Sequence, residues 1–303
     1  MDNKSSYQII SMPKVTVVTP SFNQGHFIED TILSIKNQNY PNIEHLIIDG
    51  GSNDDTLNVI KKYEKTYNMR WISEPDEGQS NAINKGIRMA DGQIIGWLNS
   101  DDVYFSSETI SYVVQQFANY ENARVIFGDD VLIDKNKNFL FKRTMRDFDY
   151  QIMLKKNIIS QPATFFLKEV VVDNLLDEKL HFAMDYELWL RLYNRGYKFI
   201  YVNKILASNR IHGQRKMIVG KSEAELEVKR ILENIQAIKS RNNTITGKII
   251  NKINHLFCRL LGVKALCLLK FSDDSITGMK PEKLNVLLRE QLFMTSYRKI
   301  LKD

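Results

Sequence analysis

The first half of the chain alternates short β-branched apolar runs with longer amphipathic segments, and this rhythm restricts the fold more than any other feature. Continuous apolar runs indicate strands buried on both faces, and apolar residues repeated every three or four positions indicate helices. The predicted strands are Val15–Thr19, Ile43–Asp49, Met69–Ser73, Gln93–Leu98 and Arg124–Gly128. The predicted helices are Phe27–Ile35, Asp54 or Asp55 to Tyr67, Gly78–Ala90, and Ser106 to Ala118. Alternation of this kind predicts an α/β fold with a mostly parallel sheet and helices on both faces.

The regular alternation ends near Asp129, and a different set of elements is predicted from there. They are a hairpin of Asp129–Asp134 and Asn138–Lys142, an apolar run Ala163–Leu167, a helix Met184–Asn194, a strand Tyr197–Val202 and a charged helix Glu223–Lys239. Further on, Lys248–Lys270 places apolar residues at helical spacing between basic residues. This segment fits a helix packed on the main domain or in a dimer contact, or else a helix in the plane of an anionic membrane surface. We predict a tail (1–13), a main domain (14–220) and a helical extension (221–303).

Charge and composition narrow the classes of function. With 42 basic and 36 acidic residues, the net charge of +6 suits anionic partners such as nucleotides or acidic lipids but does not by itself indicate nucleic acid. The two cysteines, Cys258 and Cys267, lack CxxC spacing and do not form a disulfide scaffold. No signal-peptide core and no apolar run of about 18 residues is present, so we expect a cytoplasmic protein.

Polar residues follow four of the predicted parallel strands at the point where each strand ends. The four loops are Thr19–Asn23, Asp49–Asp55, Glu74–Gly78 and Asn99–Asp102. Any one of them is explained by turns and helix caps alone. The carboxyl ends of parallel strands meet at one edge of a sheet, however, and ligands bind in the crevice there. Four loops rich in polar residues at one edge of the sheet therefore predict a binding site.

The residue types in these loops indicate a nucleotide held through a metal. Asp101 and Asp102 offer hard oxygen ligands for Mg²⁺ or Mn²⁺, which commonly bridge a carboxylate to substrate phosphates. Asn99 suits a hydroxyl, Asp49 suits the N–H of a nucleobase, and Phe22 fits either a ring face beside the base or a core position. Neither GxGxxG after the first strand nor GxxxxGK[ST] occurs, which disfavours a dinucleotide dehydrogenase and a P-loop NTPase.

Three blocks of sequence carry a family resemblance: VTVVTPSFNQGHFIEDTILSIKNQNYPNIEHLIIDGGSNDDT, EPDEGQSNAINKGI and GWLNSDD. They resemble the nucleotide-sugar-binding half of family 2 glycosyltransferases, and the likeness extends from about Lys14 to Leu206. The resemblance implies the Rossmann-like GT-A fold, with residues 14–128 as the nucleotide-sugar-binding half and 129–220 as the acceptor half. The WLNSDD block is similar to that of the bacterial branch that builds O-antigen, capsule and similar surface polysaccharides.

The resemblance implies roles for individual residues of this sequence. The expected nucleotide-sugar contacts are Pro20, Phe22, Glu29, Asp49, Gly51, Ser52, Asp76, Gly78, Asn81, Lys85, Asn99, Ser100 and Asp101. Asp101 is the implied metal ligand, and the family's Asp-x-Asp motif here begins with an asparagine, for which Asp102 compensates. His212 lies in a late loop that closes over the diphosphate, where it completes the metal shell or serves only as a loop residue. Arg210, Arg215 or Lys216 is expected to pair with phosphate.

Asp185 falls where the family places its catalytic base, and its alternative role is the N-cap of a helix over Tyr186–Asn194. Glu187 is the next candidate. Gln161 and Trp189 are expected to contact the acceptor together with Glu187, whereas Trp97 reads as a core residue.

The resulting hypothesis is a metal-dependent, inverting glycosyltransferase that moves a sugar from a nucleotide-sugar, most simply a UDP-sugar, to a glycan or lipid-linked glycan. Its cofactor is Mn²⁺ or Mg²⁺. Peripheral association with an anionic membrane at the inner face of the plasma membrane and a homodimer are compatible partners. The alternatives are a sugar-phosphate nucleotidyltransferase, which normally has a glycine-rich basic loop after the first strand, and a nucleotide-sugar-binding module without catalysis.

Overall fold

The computed structural model describes residues 12–213, 220 and 222–237, and these form a sheet covered by helices. The strands are β1 Val15–Ser21, β2 Ile43–Asp49, β3 Met69–Ser73, β4 Ile94–Trp97, β5 Val103–Tyr104, β6 Val125–Ile133, β7 Phe139–Arg143, β8 Thr164–Leu167 and β9 Phe199–Arg210. The helices are α1 Ile28–Lys36, α2 Thr56–Tyr63, α3 Gln79–Met89, α4 Thr109–Asn119, α5 Tyr150–Met153, α6 Lys168–Val172, α7 Met184–Asn194 and α8, residues 222–237.

The sheet has the order β3-β2-β1-β4-β8-β6-β9-β5, and β7 pairs with β6. Strands β1 to β4 are parallel, as predicted. Strand β8 is antiparallel to both β4 and β6, so β6 again runs in the direction of the first four, and β9 is parallel to it. Within the described residues, only β5, β7 and β8 run the opposite way. The expected α/β class with a mostly parallel sheet is confirmed.

Both faces of the sheet carry an apolar core, which explains the continuous apolar runs. All seven residues of β1 are buried. Val18 belongs to the cluster under α3 and α7, whereas Val15 and Val17 belong to the cluster under α4, because successive side chains of a strand point to opposite faces. Helix α3 packs very closely: a Cβ on Gly86 would lie 2.3 Å from Cγ1 of Val18. Helices therefore cover both faces, as the pattern predicts.

Several predicted boundaries are wrong, among them the strand predicted to end at Val202, which continues to Arg210, and two of the others have identifiable reasons. Helix α2 ends at Tyr63 instead of Tyr67, because the Thr66 hydroxyl donates to the Tyr63 carbonyl and the Tyr67 hydroxyl reaches the ring of buried His45. The predicted fifth strand and the first strand of the hairpin are one continuous strand, β6. Asp129 and Asp130 lie buried within it because Lys142 and Arg143 of β7 pair with them.

Helix α8, which the sequence analysis assigns to the extension, packs on the main domain. Ile231 lies in the same core cluster as α7, and the carboxylate of Glu227 is buried against the loop that precedes α7. The predicted Lys248–Lys270 helix and most of the tail lie outside the described residues. Among the helices that are described, none combines the length and the apolarity needed to cross a bilayer.

His45, in the middle of β2, gives the fold a predicted pH dependence. Its ring is fully buried between the Tyr67 and Thr19 hydroxyls, and burial lowers its pKa from 6.5 to about 3. Between these pH values the unfolded chain binds a proton that the folded chain does not. Stability is therefore complete above pH 6.5 and falls on acidification, by about 2 kcal/mol from pH 7 to pH 5 for this group.

Urea titrations at pH 7 and pH 5 test this prediction. The His45→Gln variant should lose about 2 kcal/mol less of its free energy of unfolding between the two pH values than the wild-type protein. His26→Gln is the matched control, because His26 is exposed. An unchanged pH dependence in His45→Gln would contradict the assignment.

Candidate active site

A cavity of about 940 Å³ opens at the carboxyl ends of β1, β2 and β4, near the upper end of the roughly 300–1,000 Å³ typical of ligand sites. All four predicted loops contribute to it: Pro20 and Phe22 from the first, Gly50 from the second, Asp76 from the third and Asp101 from the fourth. The opposite wall comes from the second half of the chain and from α8.

The structure brings together some of the predicted site residues and separates others. The predicted residues that line the cavity are Pro20, Phe22, Asp76, Gly78, Asn99, Ser100, Asp101, Asp102, Gln161, Asp185 and His212. The predicted residues that are absent from the described lining are Glu29, Asp49, Gly51, Ser52, Asn81, Lys85, Glu187 and Trp189.

Asp49 lies under the cavity and holds the shape of the loop after β2. Its Oδ2 accepts hydrogen bonds from the backbone N–H of Gly51 (3.1 Å) and Ser52 (2.9 Å) and from the Ser73 hydroxyl (2.7 Å). Its Oδ1 accepts from the Ser52 hydroxyl at 2.5 Å. Gly51 has a φ of +84°, a conformation that glycine adopts without strain. In this arrangement Asp49 organises the loop that presents Gly50 to the cavity.

Asn81 and Lys85 lie on a neighbouring face of α3 instead of the face that lines the cavity. Asn81 donates to Glu178 at 3.0 Å, and Lys85 pairs with Glu74 at 2.5 Å. Hydrogen bonds from Asn84 and then Asn81 lower the pKa of Glu178, which favours the ionised carboxylate. The resemblance identified the correct helix, α3, but the residues of this region that line the cavity are Gly78, Gln79 and Ala82, at and around the first turn of α3.

Glu29 lies on an exposed part of α1 and is engaged by α2. The Lys62 ammonium (2.7 Å) and the Tyr63 hydroxyl (2.6 Å) both donate to its Oε1. These two hydrogen bonds lower the pKa of the Glu29 carboxyl. In the described structure Glu29 joins two helices and does not reach the cavity.

A network of amides fixes Asn99 at the end of β4. Its Oδ1 accepts from Nε2 of Gln79 (2.8 Å) and from Nε1 of Trp97 (2.9 Å), and its Nδ2 donates to Oε1 of Gln161 (2.9 Å). Gln161 in turn donates to the Trp97 carbonyl at 2.5 Å. Gln79 and Trp97 both line the cavity although neither was predicted there. Position 79 follows the predicted Gly78 directly and shares a face of α3 with Ala82, three positions later, which also lines the cavity.

Asp101 and His212 face each other at the cavity wall. Oδ2 of Asp101 lies 2.9 Å from Nε2 of His212, and Nδ1 of His212 is buried without a hydrogen-bond partner among the described residues. The His212 ring packs on Phe27, with the ring centroids 4.4 Å apart. A carboxylate and an imidazole are both ordinary ligands of divalent cations.

The described residues fit a metal that relies on its substrate for further ligands. They contain no group of three or more His, Cys, Asp or Glu side chains placed to hold an ion. Magnesium-type sites often use one or two protein ligands, and substrate phosphates and water supply the rest. Asp101 and His212 satisfy that requirement.

Arg210 holds the Asp101–Asp102 loop from inside the protein and is not available for the predicted contact with phosphate. Arg215 and Lys216, the alternatives for that contact, lie outside the described residues. The side chain is only 1% exposed and sits at the end of β9. Its Nε donates to the Asp101 carbonyl at 2.8 Å, and Nη2 donates to Oδ2 of Asp30 at 2.9 Å. Its backbone N–H donates to Oδ1 of Asp102 at 2.9 Å. All of these groups are buried or half-buried, so the guanidinium serves to hold the loop.

Removing this cation should destabilise the protein. Arg210→Met leaves the Asp101 carbonyl and the Asp30 carboxylate short of a donor, and we expect a loss of about 3 kcal/mol in the free energy of unfolding, measured by urea titration. Lys137→Met is the matched control, because Lys137 pairs with the same Asp30 at an exposed position. It should cost less than about 0.5 kcal/mol. Equal effects of the two changes would show that burial does not matter here.

Asp185 lies in the first turn of α7 and lines the same cavity as Asp101. The helix begins after Ala183, its N-cap, so the alternative that Asp185 is the N-cap is wrong. Its Oδ2 accepts a hydrogen bond from Nδ2 of Asn157 at 3.2 Å. The adjacent Tyr186 has its pKa raised by burial to about 12 and donates to the Met153 carbonyl, so it remains protonated.

Two residues near Asp185 do not contact the cavity. Glu187 binds Arg191 one turn later through both oxygens, at 2.7 and 2.8 Å. Trp189 is fully buried beside Phe166 and Phe199, so its predicted place in the acceptor pocket is wrong. Helical spacing explains Glu187, which lies two positions after Asp185 and therefore on the opposite face of α7. Trp189 lies one turn after Asp185 on nearly the same face, but its ring packs into the core cluster and not into the cavity.

The wall opposite the nucleotide loops contains residues that the sequence analysis did not identify. Those with polar side chains are Arg143, Lys155, Lys156, Asn157, Ser160 and His181. Arg143 is the last residue of β7, and the others come from irregular chain between β7 and α7. No periodic pattern marks such segments, and composition alone did not place them at a site.

The chain belongs to glycosyl transferase family 2, because the model of that family matches residues 16–174, more than half of the chain. This assignment decides against the sugar-phosphate nucleotidyltransferase alternative.

Several of the bacterial relatives are polysaccharide synthases by name. The chain is 29% identical over 294 residues to the GalNAc(5)-diNAcBac-PP-undecaprenol β-1,3-glucosyltransferase of Campylobacter jejuni, covering 91% of this chain and 93% of the relative.

Other relatives are much longer than this chain. It is 28% identical over 215 residues to the chondroitin synthase of Pasteurella multocida, which covers 68% of this chain but only 22% of the synthase. The chain therefore spans about a fifth of the length of such relatives.

Solved structures show the same fold. The 1–349 fragment of S. aureus TarS in complex with UDP-GlcNAc superposes with a TM-score of 0.57 at 19% identity, covering 67% of this chain and 60% of that fragment. The mannosyltransferase PcManGT of Pyrobaculum calidifontis, in complex with GDP-Man and Mn²⁺, superposes with a TM-score of 0.54 at 19% identity, covering 67% and 58%. The expected GT-A fold is confirmed.

Proposed function

We propose that this chain is an inverting, metal-dependent glycosyltransferase that moves a sugar from a UDP-sugar to a hydroxyl of a glycan or lipid-linked glycan in bacterial surface-polysaccharide biosynthesis. The observation that carries the proposal is that one cavity is lined both by the Asp101–His212 pair and by Asp185. Asp101 and His212 suit a metal-bound diphosphate, and Asp185 suits an acceptor hydroxyl.

The donor side of the cavity fits a nucleoside. Phe22 is 59% exposed at the cavity, which is unusual for a large aromatic side chain and favours a ring face for the base over a core position. Gly50 lies so close to Asp76 that a Cβ there would be 2.6 Å from Oδ2 of Asp76. Glycine at position 50 leaves room for the Asp76 carboxylate, whose Oδ1 accepts a hydrogen bond from the backbone N–H of Gly78 at 2.8 Å, so this carboxylate is available to the ribose or the base.

Asp101 and His212 would hold Mn²⁺ or Mg²⁺, and the imidazole favours the transition metal, Mn²⁺. When bound, the ion stabilises the negative charge that develops on the departing nucleoside diphosphate. Arg210 keeps the Asp101 carbonyl, and with it the loop, in place. Asn99, held by Gln79 and Gln161, presents a fixed amide edge to the sugar.

Asp185 would remove the proton from the acceptor hydroxyl as that oxygen attacks the anomeric carbon. Its contact with Asn157 orients the carboxylate from the irregular wall. One attack on the face opposite the leaving group inverts the anomeric configuration. An NMR spectrum of the product with retained configuration would contradict this single displacement.

The acceptor proposal is supported by the Campylobacter jejuni relative, whose name specifies a PP-undecaprenol-linked acceptor and which matches this chain along nearly its whole length. A lipid-linked acceptor would place the protein at the cytoplasmic face of the membrane. Lysines 155 and 156 on the acceptor wall would favour an anionic acceptor of this kind. The predictions of membrane binding and of a dimer contact concern the segment Lys248–Lys270, which lies outside the described residues, and they stay predictions.

A donor screen tests the proposed function. UDP- and GDP-sugars are incubated with the protein and Mn²⁺, and nucleoside diphosphate release is measured alongside calorimetric titration of UDP with and without Mn²⁺. We expect Mn²⁺-dependent UDP binding and slow hydrolysis of one donor. If UDP binds and no donor turns over even with acceptor, the chain is a binding module without catalysis. If no nucleoside diphosphate binds at all, the proposal fails.

A further inference from the structure

The carboxylate of Glu227, on α8, holds the start of the helix that carries Asp185. Its Oε1 accepts a hydrogen bond from the backbone N–H of His181 at 2.8 Å. Its Oε2 accepts from the N–H of Phe182 at 2.8 Å and from that of Ala183 at 2.9 Å. Glu227 is 8% exposed, so this carboxylate is buried and bonded to three consecutive backbone donors.

The position of these donors gives Glu227 a specific effect. The N–H groups that precede and open a helix have no partner within the helix and need an external acceptor. The N-cap of α7 is Ala183, whose side chain offers none. A carboxylate at this end also interacts favourably with the helix dipole. Glu227 therefore caps α7 from another element, two residues before Asp185.

Other contacts show that α8 belongs to the same site. Ala224 and Val228, on either side of Glu227, line the cavity. Gly220 lies against the Phe182 ring, where a Cβ would be 2.2 Å from the ring carbons. Helix α8 thus touches both the cavity and the loop that Glu227 binds, although the family match ends at residue 174.

We infer that Glu227 is a positioning residue for the general base: it fixes the 181–183 loop and the first turn of α7, and through them the Asp185 carboxylate. This inference rests on the proposed function. Glu227 does not line the cavity among the described residues, so it acts through Asp185 and not on the substrate. Small displacements of a catalytic group can lower the rate by about a hundredfold, so the effect should fall on the chemical step.

The test compares Glu227→Gln with Glu225→Gln, a matched change at an exposed position of the same helix. The glutamine side chain has only one acceptor oxygen, and its NH₂ group faces backbone N–H donors. The three hydrogen bonds from residues 181–183 therefore cannot all form. We expect kcat for transfer to fall at least tenfold, while the dissociation constant of UDP with Mn²⁺ changes less than twofold. Hydrogen–deuterium exchange of the 181–185 segment should accelerate at least tenfold.

Each outcome decides the question. The positioning role would be overturned if the 181–185 segment exchanged faster but kcat were unchanged. It would also be overturned if kcat and the number of UDP-binding sites fell in proportion, because that result indicates general misfolding. If Glu227→Gln does not fold, the same measurements are made on Glu227→Asp, which keeps the charge on a shorter side chain. If the wild-type protein transfers no sugar, the proposed function fails. If hydrogen–deuterium exchange of the 181–185 segment is the same in Glu227→Gln as in the wild type, the inference about Glu227 fails independently of the proposed function.

Discussion

Asp185→Asn is expected to lower kcat for sugar transfer by roughly 10²–10⁴-fold while leaving UDP and Mn²⁺ binding unchanged. In the proposed mechanism the carboxylate takes the acceptor proton, and the amide has no comparable basicity. The amide oxygen can still accept the hydrogen bond from Asn157, so the local structure should persist. Initial rates at saturating donor, together with calorimetric titration of UDP, measure both quantities.

Glu187→Gln provides the control, since Glu187 lies on the same helix two residues away but is bound to Arg191 outside the cavity. Its transfer rate should stay within about threefold of the wild type. A near-normal kcat for Asp185→Asn would remove Asp185 as the base. A large loss in Glu187→Gln alone would reassign the role to the runner-up residue.

Asp101→Ala should weaken Mn²⁺-dependent binding of UDP by at least about a hundredfold, because it removes one of the two side chains that we propose as ligands of the ion. UDP binding measured in EDTA should be nearly unaffected. Calorimetric titrations with and without Mn²⁺ separate the two contributions. The exposed Asp91, at the opposite end of β1, supplies the control variant Asp91→Asn.

Combining Asp101→Ala with His212→Gln sharpens this test. Two ligands of one ion act as a unit, so the double variant should lose little more than Asp101→Ala alone. Additive losses would indicate that His212 contributes independently of the metal, as a loop residue. Undiminished Mn²⁺-dependent affinity in Asp101→Ala would exclude Asp101 as a ligand.

Much of the fold was predictable because local periodicity dominates it. Strand β3 and helix α7 match their predicted bounds, and helix α1 differs by one residue at each end. Strand β6 was divided in the prediction, since paired aspartates normally interrupt a strand. Their partners, Lys142 and Arg143, become visible only when the hairpin is folded.

Side-chain direction explains most differences within the site. Motif resemblance transfers positions along the chain but not the neighbours that compete for each group. Asn81 turns to Glu178, and Trp189 is buried in the core. Trp97 is a core residue, as predicted, and its indole N–H also donates to the Asn99 amide oxygen at the cavity. Glu227 was beyond prediction, because its hydrogen bonds connect positions more than forty residues apart.

The cavity walls extend along the sequence from Pro20 to Val228. During synthesis the amino-terminal part of a chain emerges and begins to fold first. The nucleotide loops are therefore exposed to solvent well before α8 leaves the ribosome, and the enclosure is completed only by nearly the last described residues. A translation product that terminates before residue 222 would retain every sequence block of the family resemblance and still lack Glu227, the residue that we propose positions Asp185.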